Sequence, residues 1–252
     1  MRDDDADRDL IERLRAMGLR LSTEALRTLL RDLHRDRATP TQTLERIFDA
    51  ERRAREANNL ARRTRLAMVG TPKPLDRFDW SFPRAIDRAM YESLHTMDFA
   101  SRGDNVLLRG GAGTGKTTLA QHLALAALAQ GLTVRFATLS TLLADLLRQE
   151  STPALERRLK RYTLPAVLAV DEVGYVPYEP RAADLFFTII CRRHEASRST
   201  VVTTNLAFKQ WPTVFPNATC LVPLVDRFHE RCHVMDIEGD SWRGKGRRGP
   251  ER

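Results

Sequence analysis

The sequence predicts an α/β protein of three layers, built on a mostly parallel sheet and preceded by a small all-helical N-terminal domain. Three observations carry that prediction. From about residue 75 short apolar runs alternate with helical stretches, the pattern of successive βαβ units. A glycine-rich loop, Gly110 to Thr117, joins one of those runs directly to a helix. The first 66 residues, by contrast, place leucines at helical spacing with capping residues between them.

Leu10, Leu14 and Met17 share one helical spacing, and Leu26, Leu29, Leu30 and Leu33 share another after a Ser22 cap. A third helix opens at Thr39-Pro40-Thr41-Gln42, where Thr39 can cap the orphan amides, Pro40 suits the first helical position and Gln42 completes a capping box. Past Leu44, Ile47 and Phe48 the stripe thins to alanines. There Arg52, Arg53, Arg55, Arg62, Arg63 and Arg65 accumulate against Glu56, so this half is expected to face solvent or DNA. Thr71-Pro72-Lys73-Pro74 then ends any helix and reads as a linker. The expected division is a helical domain over 1–70 for oligomer, DNA or partner contact, an α/β domain over 75–243, and a basic tail over 244–252. Candidate strands are Val106 to Leu108, Val134 to Ala137, Val167 to Val170, Val201 to Thr204 and Val234 to Ile237.

With 252 residues, 42% of them apolar and 29% charged, the composition is that of a globular protein with room for one full core and an appendage. No apolar stretch approaches the roughly 20 residues of a membrane span. Met1-Arg2-Asp3-Asp4-Asp5 is too acidic for a signal peptide, so a cytoplasmic protein with no membrane partner is expected. Cys191, Cys220 and Cys232 form no Cys-x-x-Cys pair and are expected to be reduced thiols. The net charge of +8 suggests a polyanionic partner, nucleic acid first, because lysine and arginine release counterions from phosphates. Arginine greatly outnumbers lysine, a bias that genomic base composition also produces.

The sharpest chemical signal is Gly110-Gly111-Ala112-Gly113-Thr114-Gly115-Lys116-Thr117, a complete G-x-x-x-x-G-K-T after an apolar strand and before a helix. Such a P-loop wraps phosphate in backbone amides while the helix dipole adds positive potential. Lys116 is then the residue that reaches the β and γ phosphates of ATP, Thr117 ligates Mg²⁺, and Thr118 follows in the same turn. Val167-Leu168-Ala169-Val170-Asp171-Glu172 ends a buried strand in two acids: Asp171 to hold Mg²⁺ through water, Glu172 to orient and polarise the attacking water. Thr203-Thr204-Asn205 ends the next strand; if that strand lies between the other two, Asn205 can contact the water or the γ-phosphate. His229-Glu230-Arg231-Cys232-His233 fits H-E-x-x-H, but the strand that starts at Val234 leaves little helix to carry both histidines, and a zinc site is not expected.

Together with these motifs, Val170 through Pro177, Thr204 through Phe208 with Trp211, Asp226-Arg227-Phe228 and Gly239-Asp240-Ser241-Trp242-Arg243 resemble the IstB/DnaC-like family of AAA+ ATPases. The likeness spans nearly the whole chain, Phe78-Asp79-Trp80 and Phe48 through Arg52 included. It is greatest to the helper ATPase encoded beside the transposase of a bacterial insertion sequence. The resemblance implies a homo-oligomeric ATPase that binds and remodels double-stranded DNA, largely without regard to base sequence, and recruits its cognate transposase. It further implies that Arg227 is an arginine finger reaching a neighbouring subunit's γ-phosphate, that Arg243 is a second sensor, and that no separate lid domain follows. The family commonly shows Tyr where Trp242 stands and a second small loop residue where Gly111-Ala112 stands. A replicative helicase loader of the DnaC type shares the core and is the alternative. A nucleotide-gated scaffold and a metabolic kinase fit less well.

Overall fold

A computed structural model describes residues 2–242. Its contacts divide the chain between Arg62 and Arg63, inside the third helix.

The N-terminal unit holds α1 (Arg2–Ala16), α2 (Thr23–Arg35) and the first part of α3 (Pro40–Ala67). Its helix starts are written locally. Ser22 accepts from the Ala25 amide at 3.1 Å, and Thr39 and Gln42 exchange side-chain-to-amide bonds at 3.3 and 3.0 Å, the expected capping box. Ile11, Leu21, Leu26, Leu30 and Leu33 form the core, with Leu14, Leu29, Ile47, Ala50 and Ala54 packed on it. Two expected stripes are corrected. Ile11 rather than Leu10 turns inward, and Met17 is 80% exposed because it follows the end of α1, just before Gly18 leaves the helix at φ +93°. On α3 the inward set is Ile47, Ala50 and Ala54, whereas Leu44 and Phe48 are each 69% exposed.

The arginine-rich half of α3 is also more engaged than expected. Arg52 pairs with Asp49 and Glu56 at 3.2 and 3.4 Å, and Arg55 with Glu51 at 2.6 Å. Arg63 donates to the carbonyls of Leu128 and Gly131 at 3.4 and 3.3 Å, so it caps a helix end of the second unit rather than facing solvent. Arg53, Arg62 and Arg65 are exposed.

The second unit runs β1 (Ala85–Ile86), α4 (Arg88–Leu94), α5 (Asp98–Arg102), β2 (Asn105–Gly110), α6 (Lys116–Ala129), β3 (Val134–Thr138), α7 (Leu139–Leu147) and α8 (Thr152–Thr163). It continues with β4 (Val167–Val173), α9 (Pro180–Glu195), β5 (Ser199–Thr204), α10 (Leu221–His229) and β6 (Cys232–Glu238). The sheet order is β1-β6-β2-β5-β4-β3, parallel throughout except for β1 on β6. The sequence showed no sign of β1: two residues shortly after Pro83 form no apolar run.

Continuous apolar strands still alternate between faces, which makes the three layers. Val106, Leu108, Val167, Ala169 and Val201 pack with α6, Tyr91 and Leu94 on one side. Leu107, Leu168, Val170 and Val202 pack with α7, Phe186, Leu224 and Phe228 on the other. A buried arginine ties the second layer to the sheet: Arg193, 1% exposed, donates to Thr200 Oγ1 and to the carbonyls of Tyr162, Pro165, Ala166 and Ser199. All three cysteines are free, and burial raises each thiol, Cys220 up to about 11 and Cys232 up to about 12, away from reactive thiolate.

Candidate functional site

The parallel order places β5 between β2 and β4, so the carboxyl ends of all three open at one edge, where α/β sheets bind ligands. The glycine loop crosses that edge. Gly110 ends β2 so close to β6 that a Cβ would overlap the Ile237 carbonyl oxygen. Gly113 and Gly115 take φ of +79° and +92°, and a Cβ on Gly115 would stand 2.5 Å from the Phe78 ring. Gly111 and Ala112 form the exposed crest, while Thr114 is buried and donates to the Gly111 carbonyl at 2.9 Å. The C-terminal segment reinforces the loop from outside, the Trp242 amide donating to the Gly113 carbonyl at 3.1 Å.

Lys116 opens α6, only 5% exposed, with its ammonium 2.6 Å from the Gly111 carbonyl. Thr117 and Thr118 follow, half-buried, in the first helical turn. Thr117 Oγ1 donates to Asp171 Oδ1 at 3.1 Å, joining the loop to β4. Asp171 is 3% exposed and also accepts from Thr203 Oγ1 on β5. Glu172 sits at φ +63° with its side chain exposed, at a register shift between Val170 and Val173, and its amide donates to Thr203 Oγ1 at 3.0 Å. Asn205 lies just past β5 with its Oδ1 3.0 Å from where a Gly174 Cβ would stand, against the turn that follows the two acids. Sequence reasoning gave a role only to Asn205 of its trio; Thr203, two residues earlier, is the one that touches both acids. Its signal was a hydroxyl at the end of the strand beside a carboxylate pair.

Arg227 is elsewhere. Its guanidinium covers the Phe187 ring at 5.3 Å and donates to the Pro223 carbonyl at 3.4 Å; neither partner belongs to the glycine loop. It lines an open cleft with His194, Phe208 and Glu230. Arg243 and the tail 244–252 lie outside the described residues. The H-E-x-x-H residues diverge, because α10 ends at His229 and β6 starts at Cys232. His229 meets Phe208 edge-on at 5.4 Å, Glu230 pairs with His194 at 2.7 Å, and His233 with Asp104 at 3.3 Å.

Among the described residues no group of three His, Cys, Asp or Glu could hold a metal ion. A hard hydroxyl and a carboxylate oxygen 3.1 Å apart, beside a phosphate-shaped loop, fit magnesium, which takes one or two protein oxygens and completes its shell with water and phosphate.

A sequence model of the family described as IstB-like ATP binding protein matches residues 12–249. The chain belongs to that family. A relative named for insertion sequence IS21 of Pseudomonas aeruginosa, and there proposed to bind ATP, is 34% identical over 77% of this chain and 73% of its own length. Another, named for IS232 of Bacillus thuringiensis subsp. berliner, is 33% identical over 81% of each chain. Solved structures share the fold of this IstB-like chain at lower identity. DnaI superposes with a TM-score of 0.54 at 17% identity, over 69% of this chain and 90% of that one. AMPPCP-bound DnaA from Aquifex aeolicus superposes at 0.52 and 20% identity, over 66% of this chain but only 52% of that one, so the match spans about half of DnaA. No helix among the described residues is long and apolar enough to cross a membrane.

Proposed function

We propose that this chain is a magnesium-dependent ATPase that helps its insertion sequence transpose, assembling on target DNA as a homo-oligomer and recruiting its cognate transposase. The observation that carries the reading is the bond from Thr117, next to Lys116 at the end of the glycine loop, to Asp171, next to Glu172 at the end of β4.

In this reading the loop amides and the N-terminus of α6 cradle the phosphates, and the Lys116 ammonium exchanges the Gly111 carbonyl for a phosphoryl oxygen. Thr117 and Asp171 are the protein's share of the magnesium shell. The ion, when bound, neutralises charge that develops on the phosphoryl oxygens. Glu172, carried outward by its backbone, orients the attacking water and polarises it towards the γ-phosphate, with Asn205 at the Gly174 turn that follows as a further contact for that water. Arg227, held by Phe187 and Pro223 rather than by its own glycine loop, suits a role in trans: it would add positive charge to a neighbouring subunit's γ-phosphate. Duplex DNA is supported by the charge of +8 and by α8, where the exposed Arg157, Lys160 and Arg161 fall on one helical stripe with Leu164.

Sedimentation with a duplex of ~60 base pairs tests the assembly, a length several times the few phosphates one subunit would contact. A large complex should form with a non-hydrolysable ATP analogue, and not with ADP. Glu172→Gln should keep that complex with ATP while turnover falls ~100-fold or more. Turnover unchanged in Glu172→Gln would remove the assigned base, and a protein that ignores duplex DNA would leave the helicase-loader reading in place of this one.

A further inference from the structure

Two consecutive residues of a regular strand point to opposite faces of the sheet. Asp171 and Glu172 can therefore serve one phosphate site only if β4 breaks its alternation between them. It does so. Glu172 turns to φ +63°, and the pairing with β5 shifts between Val170 and Val173. A non-glycine residue keeps such a backbone only where its surroundings over-determine it.

Thr203 is that surrounding. The shift takes the Glu172 amide out of the regular ladder, and Thr203 Oγ1 receives it at 3.0 Å. The same hydroxyl spends its proton on Asp171 Oδ1, the oxygen that also accepts from Thr117. On the far side of the break, Thr204 Oγ1 donates to the Val173 carbonyl at 2.6 Å and accepts the Leu206 amide at 3.1 Å. Thr203 is 2% exposed, so solvent does not stand ready to replace it.

We propose that Thr203 is a positioning residue for ATP hydrolysis, its hydroxyl holding the magnesium-side acid Asp171 and the water-side acid Glu172 in one relative geometry. This rests on the reading of the site as an ATPase. A hydroxyl is the compact group that donates and accepts at once. Valine reproduces the shape of threonine and can do neither; serine keeps both bonds.

The test uses the full chain with duplex DNA, ATP and magnesium, comparing wild type, Thr203→Val and Thr203→Ser. Affinity for a fluorescent ATP analogue should stay at the wild-type level in Thr203→Val, because the glycine loop and Lys116 are untouched. Turnover should fall about 10- to 100-fold, the usual cost of losing a group that orients a ligand. More magnesium should be needed for half-maximal rate, and Thr203→Ser should restore both. Amide exchange at Glu172, followed by NMR, should quicken in Thr203→Val and not in Thr203→Ser. Wild-type turnover in Thr203→Val, no rescue by serine, or an unchanged Glu172 exchange rate would each overturn the proposal. Should Thr203→Val fail to fold, Thr203→Ala adds no bulk and takes its place with the same expectations. If wild type itself does not turn over ATP, the ATPase reading falls and this role with it; if wild type turns over and the variant matches it, only the role of Thr203 falls.

Discussion

Gly115 shows how little freedom the loop has at single positions. Its φ of +92° is strained for any L side chain, and a Cβ would stand 2.5 Å from the Phe78 ring, part of the core beneath the loop. Gly115→Ala should therefore destabilise the chain by ~1–3 kcal/mol, and by more if Phe78 cannot shift. Thermal unfolding should show a midpoint lowered by about 2–4 °C per kcal/mol for a unit of this size. An unchanged midpoint would mean that the loop relaxes freely. Lys116 is constrained differently, a buried ammonium held 2.6 Å from the Gly111 carbonyl.

Among elements, the N-terminal helices depend on one carboxylate. Glu51 on α3 accepts the amides of Arg20 and Leu21 at the α1–α2 turn, at 2.9 and 3.1 Å, and the guanidinium of Arg55 at 2.6 Å. Burial alone would raise its pKa, but these donors outweigh burial and hold it below the ordinary 4.5. A depressed carboxylate contributes stability that is complete above its unfolded value and lost as pH falls through the folded one. Unfolding of the N-terminal unit should thus become easier below about pH 4.5, and Glu51→Gln should flatten that dependence while costing ~1 kcal/mol at neutral pH. Urea titrations at pH 7 and pH 4 would measure both; parallel curves for wild type and Glu51→Gln would exclude the linkage. The same helices show where periodicity stops being informative. Spacing identified Leu44, Ile47 and Phe48 as a set, but only Ile47 faces the core, because the inward face follows from where α1 and α2 lie.

For the whole molecule, the question is where a net charge of +8 acts. Part of it is engaged within the chain: Arg193 is buried among carbonyls and Arg63 caps α6, neither with a carboxylate partner among those bonds. The exposed α8 stripe of Arg157, Lys160 and Arg161 is the proposed phosphate contact. Replacing all three by alanine should weaken duplex binding across sequences and reduce the salt dependence, log K against log salt, by roughly 0.9 per lost contact. Fluorescence anisotropy over a salt series would report it, and an unaltered slope would move the DNA surface elsewhere.

The glycine loop, the Asp171-Glu172 pair, the five parallel strands and the caps at Ser22 and Thr39 were legible in the sequence, whereas Thr203 was not. The legible signals lie within a few residues: Ser22 reads Ala25, Thr39 reads Gln42, and the glycine loop is recognised between the strand and helix that flank it. Tertiary structure alone decided that β5 enters between β2 and β4, that β1 pairs antiparallel with β6, and that Arg63 serves a carbonyl 68 residues away. It also decided the joint between the two acids, where Glu172 turns left-handed and meets a hydroxyl 31 residues further along the chain. Local propensity cannot encode these features, because each is a polar group satisfied, or an edge covered, by a partner that folding alone brings near.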